Sequence, residues 1–375
     1  MEKETWIRLK LVVIVFVCAC SLLLSGCWDY LPLEEKFIVN ALGIDISERD
    51  PERILVTAMG ITYNEANDSL SAEGSSISDA IRAIRDRTDK QIALSHIQVV
   101  LFSEQIAKKG VTPYLDIFYR DPQLRSDALV MVAKGQARDF FDSKKMKQPI
   151  NGQTIYEIVA SSETRVGEHA YDVKNVMFNI ENSFANISLP LLTFEQNQRV
   201  IRFAGMALFD DGMMVAELDE RQTIGFLMLN GYLQHAVYTI GSVKVGDRTA
   251  KAVSFRIFGP KRKVEWREVN GQPQLHMRFS FKDEVLEISP WVPEKMRPDE
   301  FEQLEQTLEN DLRQLAEEVL YIVQKRHRLE LFDLREMARV KWGDGYHKMK
   351  WNEQFAEIPV HVEVDVQIER TGILY

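Results

Sequence analysis

The sequence predicts an α+β protein of two or three α+β domains, with mixed or antiparallel sheets and packed helices, after a lipoprotein signal peptide. Three observations carry that expectation. Strand-like apolar runs alternate with amphipathic helices through the first 145 residues. Four strand-length runs, punctuated by Gly-Asp and Asn-Gly turns, occupy 236–288. One apolar stripe then follows a helical period for about six turns. The chain has 375 residues, 45% hydrophobic and 27% charged, which is folded-protein composition and enough for two or three domains.

The chain opens with a charged stretch, Met1 to Lys10, and an unbroken apolar run from Leu11 to Leu24. That run is shorter than the roughly 20 apolar residues a spanning helix needs, and it ends in small residues, as a secretory signal does. Leu24-Ser25-Gly26-Cys27 also matches the bacterial lipobox, in which the cysteine thiol receives diacylglycerol before cleavage. Residues 1–26 are therefore expected to be a cleaved signal peptide and Cys27 a lipidation site; the alternative is an uncleaved anchor. Two acyl chains hold a protein stably where one is marginal. The other two cysteines, Cys18 and Cys20, lie inside the removed segment, so the mature fold has no internal disulfide and no thiolate metal site. Removal also takes Lys3, Arg8 and Lys10 with Glu2 and Glu4, which moves the net charge from −10 to −11. That sign argues against bulk attraction to nucleic acid or anionic lipid, so the anchor must do the holding. Trp28 suits the interfacial zone beside an anchor and equally suits a core.

The expected N-terminal domain is 27–145. Strands are predicted at 37–45 and 54–62, then a polar loop at 64–76 and a helix capped by Ser78 that carries Ile81 and Ile84. A strand follows at 96–102, then a helix at 104–109 stopped by Gly110. The next helix opens with Thr112 and Pro113, and a strand at 127–133 completes the domain. The middle domain is expected at 146–230. It has helices at 154–164 and 172–181, strands at 187–194, 202–209 and 213–218, and an Asp211-Gly212 hairpin turn. Its last helix, capped by Asp219, runs to about Leu229. The C-terminal domain, 231–375, is expected to hold strands near 236–245, 249–258, 261–269 and 274–288. Its long helix carries Phe301, Leu304, Leu308, Leu312, Leu315, Val319 and Ile322 on one stripe, with Glu302, Glu305, Glu309, Glu317 and Lys325 off it. Packing on its own domain's strands is the favoured role for that stripe, ahead of a coiled coil. A short helix near 333–340 and a strand at 358–369, one face apolar and one wet, close the chain.

No catalytic pattern emerges. None of the seven histidines has metal-ligand spacing, and no Gly-x-Ser-x-Gly elbow, phosphate loop or dinucleotide fingerprint is present. Lys261-Arg262-Lys263 is a solvated hairpin or a docking patch, the former favoured. Arg120, Asp121 and Arg125 crowd one connection between a helix and a strand, as a local ion-pair knot or as a partner contact. Trp342 and Trp351 are read as core or groove-lining residues.

A resemblance adds what these patterns do not. Gly26-Cys27-Trp28-Asp29 followed by Gly43-Ile44-Asp45 resembles the start of the Ger(x)C lipoproteins, the C subunits of nutrient germinant receptors in spore-forming bacteria. Ser95-His96-Ile97-Gln98-Val99-Val100, Tyr119-Arg120-Asp121-Pro122-Gln123-Leu124-Arg125 and Ala204-Gly205-Met206-Ala207-Leu208-Phe209 continue the similarity, as do Asp333, Trp351 and Arg370-Thr371-Gly372. Pro32 departs from the family, which often has Glu there. The resemblance implies a non-enzymatic protein of three α+β domains on the outer surface of the spore inner membrane. It works with A-type and B-type integral membrane subunits, and no cofactor is implied beyond the lipid on Cys27. It also implies that Arg120, Asp121 and Arg125 are a candidate subunit contact. The competing reading is an extracytoplasmic solute-binding lipoprotein of a transporter, which would show two similar lobes flanking a cleft.

Overall fold

The computed structural model describes residues 2–23, 32–63, 67–142, 145, 150–160, 171–181, 186–195, 197, 199–290, 296–343 and 350–369. Cys27, Trp28, Asp29 and Arg370-Thr371-Gly372 lie outside them. Helix α1 (Glu2–Leu23) takes in most of the charged start and the apolar run, and its apolar side chains between Trp6 and Val17 are exposed rather than packed into the core. Among the described residues, no helix is long and apolar enough to cross a membrane.

The first sheet is built from β1 (Lys36–Ile46), β2 (Ile54–Ile61), β3 (Asp68–Gly74), β4 (Gln91–Ala93), β5 (Val99–Ser103), β6 (Leu129–Ala133), β7 (Ile187–Glu195), β8 (Val200–Asp210) and β9 (Met213–Leu218). Its order is β3-β2-β1-β5-β6-β7-β8-β9, with β4 also on β1. The centre is parallel, with Ala41 opposite Val99 and Val99 opposite Leu129, and both flanks are antiparallel. Helices α2 (Ile77–Arg85), α3 (Glu104–Lys109), α4 (Thr112–Arg120), α5 (Gly152–Ala160) and α6 (Val173–Glu181) connect these strands. β5 and β6 are buried at every residue, as expected of parallel strands covered on both faces. Strands from both sides of the expected 145/146 boundary share this sheet, through Val132 opposite Leu191.

Two family-like motifs have local physical explanations here. An added Cβ on Gly43 would stand 2.5 Å from Phe141 Cε2, and Asp45 reaches from the same strand to the 3₁₀ turn at 137–141. There its carboxylate accepts from Ala137 N (2.7 Å) and Arg138 N (2.9 Å), while burial pushes its pKa up to about 6. Gly205 sits at φ +124° where β8 bulges, and a Cβ would stand 1.9 Å from Leu218 O, so only glycine fits that position without backbone movement.

Two local expectations shift. The stretch 64–76 was expected to be a loop, but 68–74 forms β3, a polar edge strand whose ladder to β2 outweighs its poor strand propensity. The cap of α2 is Ser76, whose hydroxyl accepts from Asp79 N at 3.2 Å, and not Ser78.

After α7 (Glu220–Asn230) the second sheet forms from β10 (His235–Val245), β11 (Arg248–Phe258), β12 (Lys261–Val269), β13 (Gln272–Ser289) and β14 (Val360–Ile368). β13 runs for 18 residues and changes partners along its length. It pairs with β12 over 272–280, with β14 in parallel over 275–283, and with β11 over 284–289. Asp283 marks the changeover. Fully buried, it accepts from Phe258 N at 3.0 Å; its Oδ2 has no hydrogen-bond partner among the described residues, and burial pushes its pKa up to about 7.

The long helix α8 (Pro298–Leu320) continues as a π-turn over 321–326. Leu304, Leu308, Leu312, Leu315 and Val319 are fully buried, each contributing about 1.5–3 kcal/mol. The stripe packs on β10, β14 and α7, within the chain's own fold. Glu305 and Glu309, off the stripe, accept from Ile368 N (2.8 Å) and Val366 N (2.9 Å) and so satisfy outward donors of edge strand β14. α7 is the pivot of the molecule: Thr223 to Asn230 are all buried, and a Cβ on Gly225 would stand 2.8 Å from Leu315 Cγ.

Candidate functional site: a polar brace between the sheets

A cluster of buried and half-buried polar groups lies where the two sheets meet, with exposed Asp210, Tyr232 and Asp333 at its margin. It collects Asn186 before β7, Asp210 at the end of β8, Tyr232 after α7 and Arg262 on β12. The segment 328–334 and helices α9 (Arg335–Trp342) and α10 (Trp351–Phe355) complete it. Glu330 is at its centre, 4% exposed. Its Oε1 accepts from Phe332 N (2.7 Å) and Leu334 N (3.3 Å), and its Oε2 from Trp351 Nε1 (3.4 Å), with Arg335 Nε 3.6 Å away. Burial nevertheless raises its pKa, because desolvation outweighs these favourable contacts. Arg335 Nη2 donates to Asn352 Oδ1 at 3.0 Å.

Asn186 carries the link into the first sheet. With its amide oriented to satisfy both atoms, it donates to Asp210 Oδ1 (2.9 Å) and accepts from Glu330 N (2.9 Å) and Asn352 Nδ2 (2.8 Å). Asp333, at φ +55°, accepts from Tyr232 Oη at 2.8 Å. Burial and that carboxylate push the Tyr232 phenol up to about 12. Arg262 Nη2 donates to Phe332 O at 2.6 Å, and burial pulls its pKa down. Aromatic rings close the rest: Phe226 to Phe332 at 6.0 Å, Phe332 to Phe355 at 6.2 Å and Trp351 to Phe355 at 5.8 Å between centroids.

Asp333 and Trp351, flagged by resemblance, therefore meet in this brace. Trp351 is core, while Trp342 is half-buried against Trp266 at 5.0 Å. Lys261-Arg262-Lys263 divides: Arg262 turns inward to the brace, and exposed Lys263 pairs with Glu265 at 2.6 Å. Glu330 was missed in the sequence. Its signal is a lone carboxylate inside Leu329-Glu330-Leu331-Phe332, directly after a long helix.

Arg120 and Arg125 are exposed and Asp121 is half-buried, and they do not pair with one another. Arg120 Nε pairs with Asp116 Oδ2 at 2.7 Å. Arg125 pairs through two bonds, 2.7 and 2.5 Å, with Asp127, and Asp121 Oδ1 accepts from Gln123 N at 2.9 Å. Exposed pairs of this kind contribute at most about 1 kcal/mol each, so stability does not account for the cluster. Cys27 lies outside the described residues. Among those residues, no group of three or more His, Cys, Asp or Glu is placed to hold a metal.

The two unlike sheets, joined by this polar network, define a two-sheet α+β fold. Its relatives say which family carries it. Residues 29–194 match the spore germination protein N-terminal domain, and residues 204–372 match the spore germination B3/GerAC-like C-terminal domain. The chain belongs to this GerAC family of spore germination proteins. It is 23% identical to spore germination protein KC of Bacillus subtilis (strain 168), over 97% of this chain and 96% of that protein. It is 22% identical to spore germination protein B3 of the same organism, over 94% and 95%. The crystal structure of the GerBC protein has the same fold, with a TM-score of 0.58 at 18% identity, covering 87% of this chain and 96% of that one.

Proposed function

We propose that this chain is the lipid-anchored, non-catalytic C subunit of a membrane receptor for germination nutrients. In this reading Cys27 carries the diacylglycerol, and the folded part stands on the outer surface of the spore inner membrane. There it docks on A-type and B-type integral membrane subunits. The observation that carries the reading is the full-length similarity to spore germination proteins, across both halves of the chain. The lipobox Leu24-Ser25-Gly26-Cys27 supplies the anchor. A solute-binding lipoprotein is less well supported, because the described residues form two unlike sheets and not paired similar lobes.

Cys27→Ala tests this. The variant is expected to lose the lipid adduct by mass spectrometry, to leave the spore inner-membrane fraction, and to reduce or abolish nutrient germination. Germination by agents that bypass nutrient receptors should persist. Unchanged anchoring together with an unchanged nutrient response would overturn the reading.

A further inference from the structure

One end of the first sheet gathers apolar groups that the fold leaves uncovered. β1 enters at Lys36, directly after a 3₁₀ turn at Leu33–Glu35 in which Leu33 is 51% exposed. The antiparallel register sets Ile38 opposite Ile61, so β2 ends at this same end with Ile61 38% and Tyr63 63% exposed. Lys90 Nζ donates to Glu34 O at 3.0 Å and ties the start of β4 to the same turn. Lys36 and Lys90 stand among Glu34, Glu35 and Asp89, so this end has no cationic excess, and apolar contact has to do what charge does not.

Five residues separate Cys27 from Leu33, and the six Cα–Cα steps span at most about 20 Å when fully extended. An anchor at Cys27 therefore keeps this end of the sheet close to the bilayer. We propose that the entry end of the first sheet rests on the lipid surface, with Leu33, Ile61 and Tyr63 seated at the headgroup–acyl boundary. The inference rests on the lipid-anchor reading above. Tyrosine and short apolar side chains partition to that boundary, and the anchor supplies the local concentration that makes a small contact effective. The register also fixes what stands clear. β1 runs ten residue steps from Lys36 to Ile46, about 33 Å. The β1–β2 turn at 47–53 therefore stands at the far end of the strand and faces away from the lipid.

Site-specific photocrosslinking in spores carrying the full chain tests the orientation. Leu33, Tyr63 and Glu52 are each replaced singly by p-benzoylphenylalanine, all being exposed positions. Adducts are then sorted by mass into lipid and protein. Positions 33 and 63 are expected to give about tenfold more phospholipid adduct than position 52, as shallow insertion requires. Equal lipid yields at all three positions, a maximum at 52, or protein adducts in place of lipid at 33 and 63 would each overturn the proposal. The mass of the N-terminal peptide reports lipidation separately. A lipidated chain without lipid adducts refutes the orientation alone, whereas a chain without lipid refutes the anchor reading first.

Discussion

Glu330→Ala is expected to lower the unfolding free energy by about 3–5 kcal/mol, measured by urea denaturation. The substitution leaves Phe332 N, Leu334 N and Trp351 Nε1 without their acceptor and strips Arg335, 16% exposed, of its carboxylate. Breaking one partner of a buried pair costs more than the pair ever contributed, because an uncompensated charge stays behind. Glu330→Gln should fall between parent and Ala. Its amide oxygen still serves the two backbone donors, but its NH₂ faces the indole N–H and the guanidinium. Glu336→Ala is the control: it removes an exposed pair with Arg339 and should change stability by less than about 1 kcal/mol. A loss no larger than that for Glu330→Ala would mean the junction does not depend on this network. Because Asn186 joins Glu330 N to Asp210, the damage should reach both sheets.

The second large effect is a pH dependence carried by Asp283. Its carboxyl is raised from 3.8 to about 7 by burial, so the folded state binds its proton more tightly than the unfolded chain does. Its contribution is therefore most favourable below about pH 4 and declines as pH rises through the folded value, by about 4 kcal/mol in all. Asp283→Asn keeps an acceptor for Phe258 N and removes the ionisation. The variant should match the parent near pH 4 and exceed it in stability at pH 8, with the gap opening between those limits. A parent–variant difference that stays constant from pH 4 to pH 8 would refute this account. Asp45, raised to about 6, contributes a smaller slope of the same sign.

Much of the fold was legible residue by residue. The alternation in 261–269 and 272–289, the Asn270-Gly271 and Asp211-Gly212 turns with both residues at positive φ, and the spacing from Phe301 to Val319 each encode one element through one local period. Asp283 was half legible. It continues the inward phase of Leu275, Met277, Phe279 and Phe281, so a carboxylate in the core follows from period two alone. The brace was less so. Asp333 and Trp351 stood out only by resemblance, and Arg262 looked like one of three solvated cations.

By itself, the sequence determined the order and kind of most elements, the lipobox and the family, because these depend on neighbours within a few residues or on short motifs. Only the tertiary structure decided that β6 pairs with β7 across 58 intervening positions, from Val132 to Leu191. It alone decided that polar β3 is a strand, that Glu305 and Glu309 cap an edge, and that Arg262 and Glu330 turn inward. The reason is the same in each case. Whether these side chains and edges meet water or protein is set by segments far away in the chain, and at these positions no local period reports what packs there.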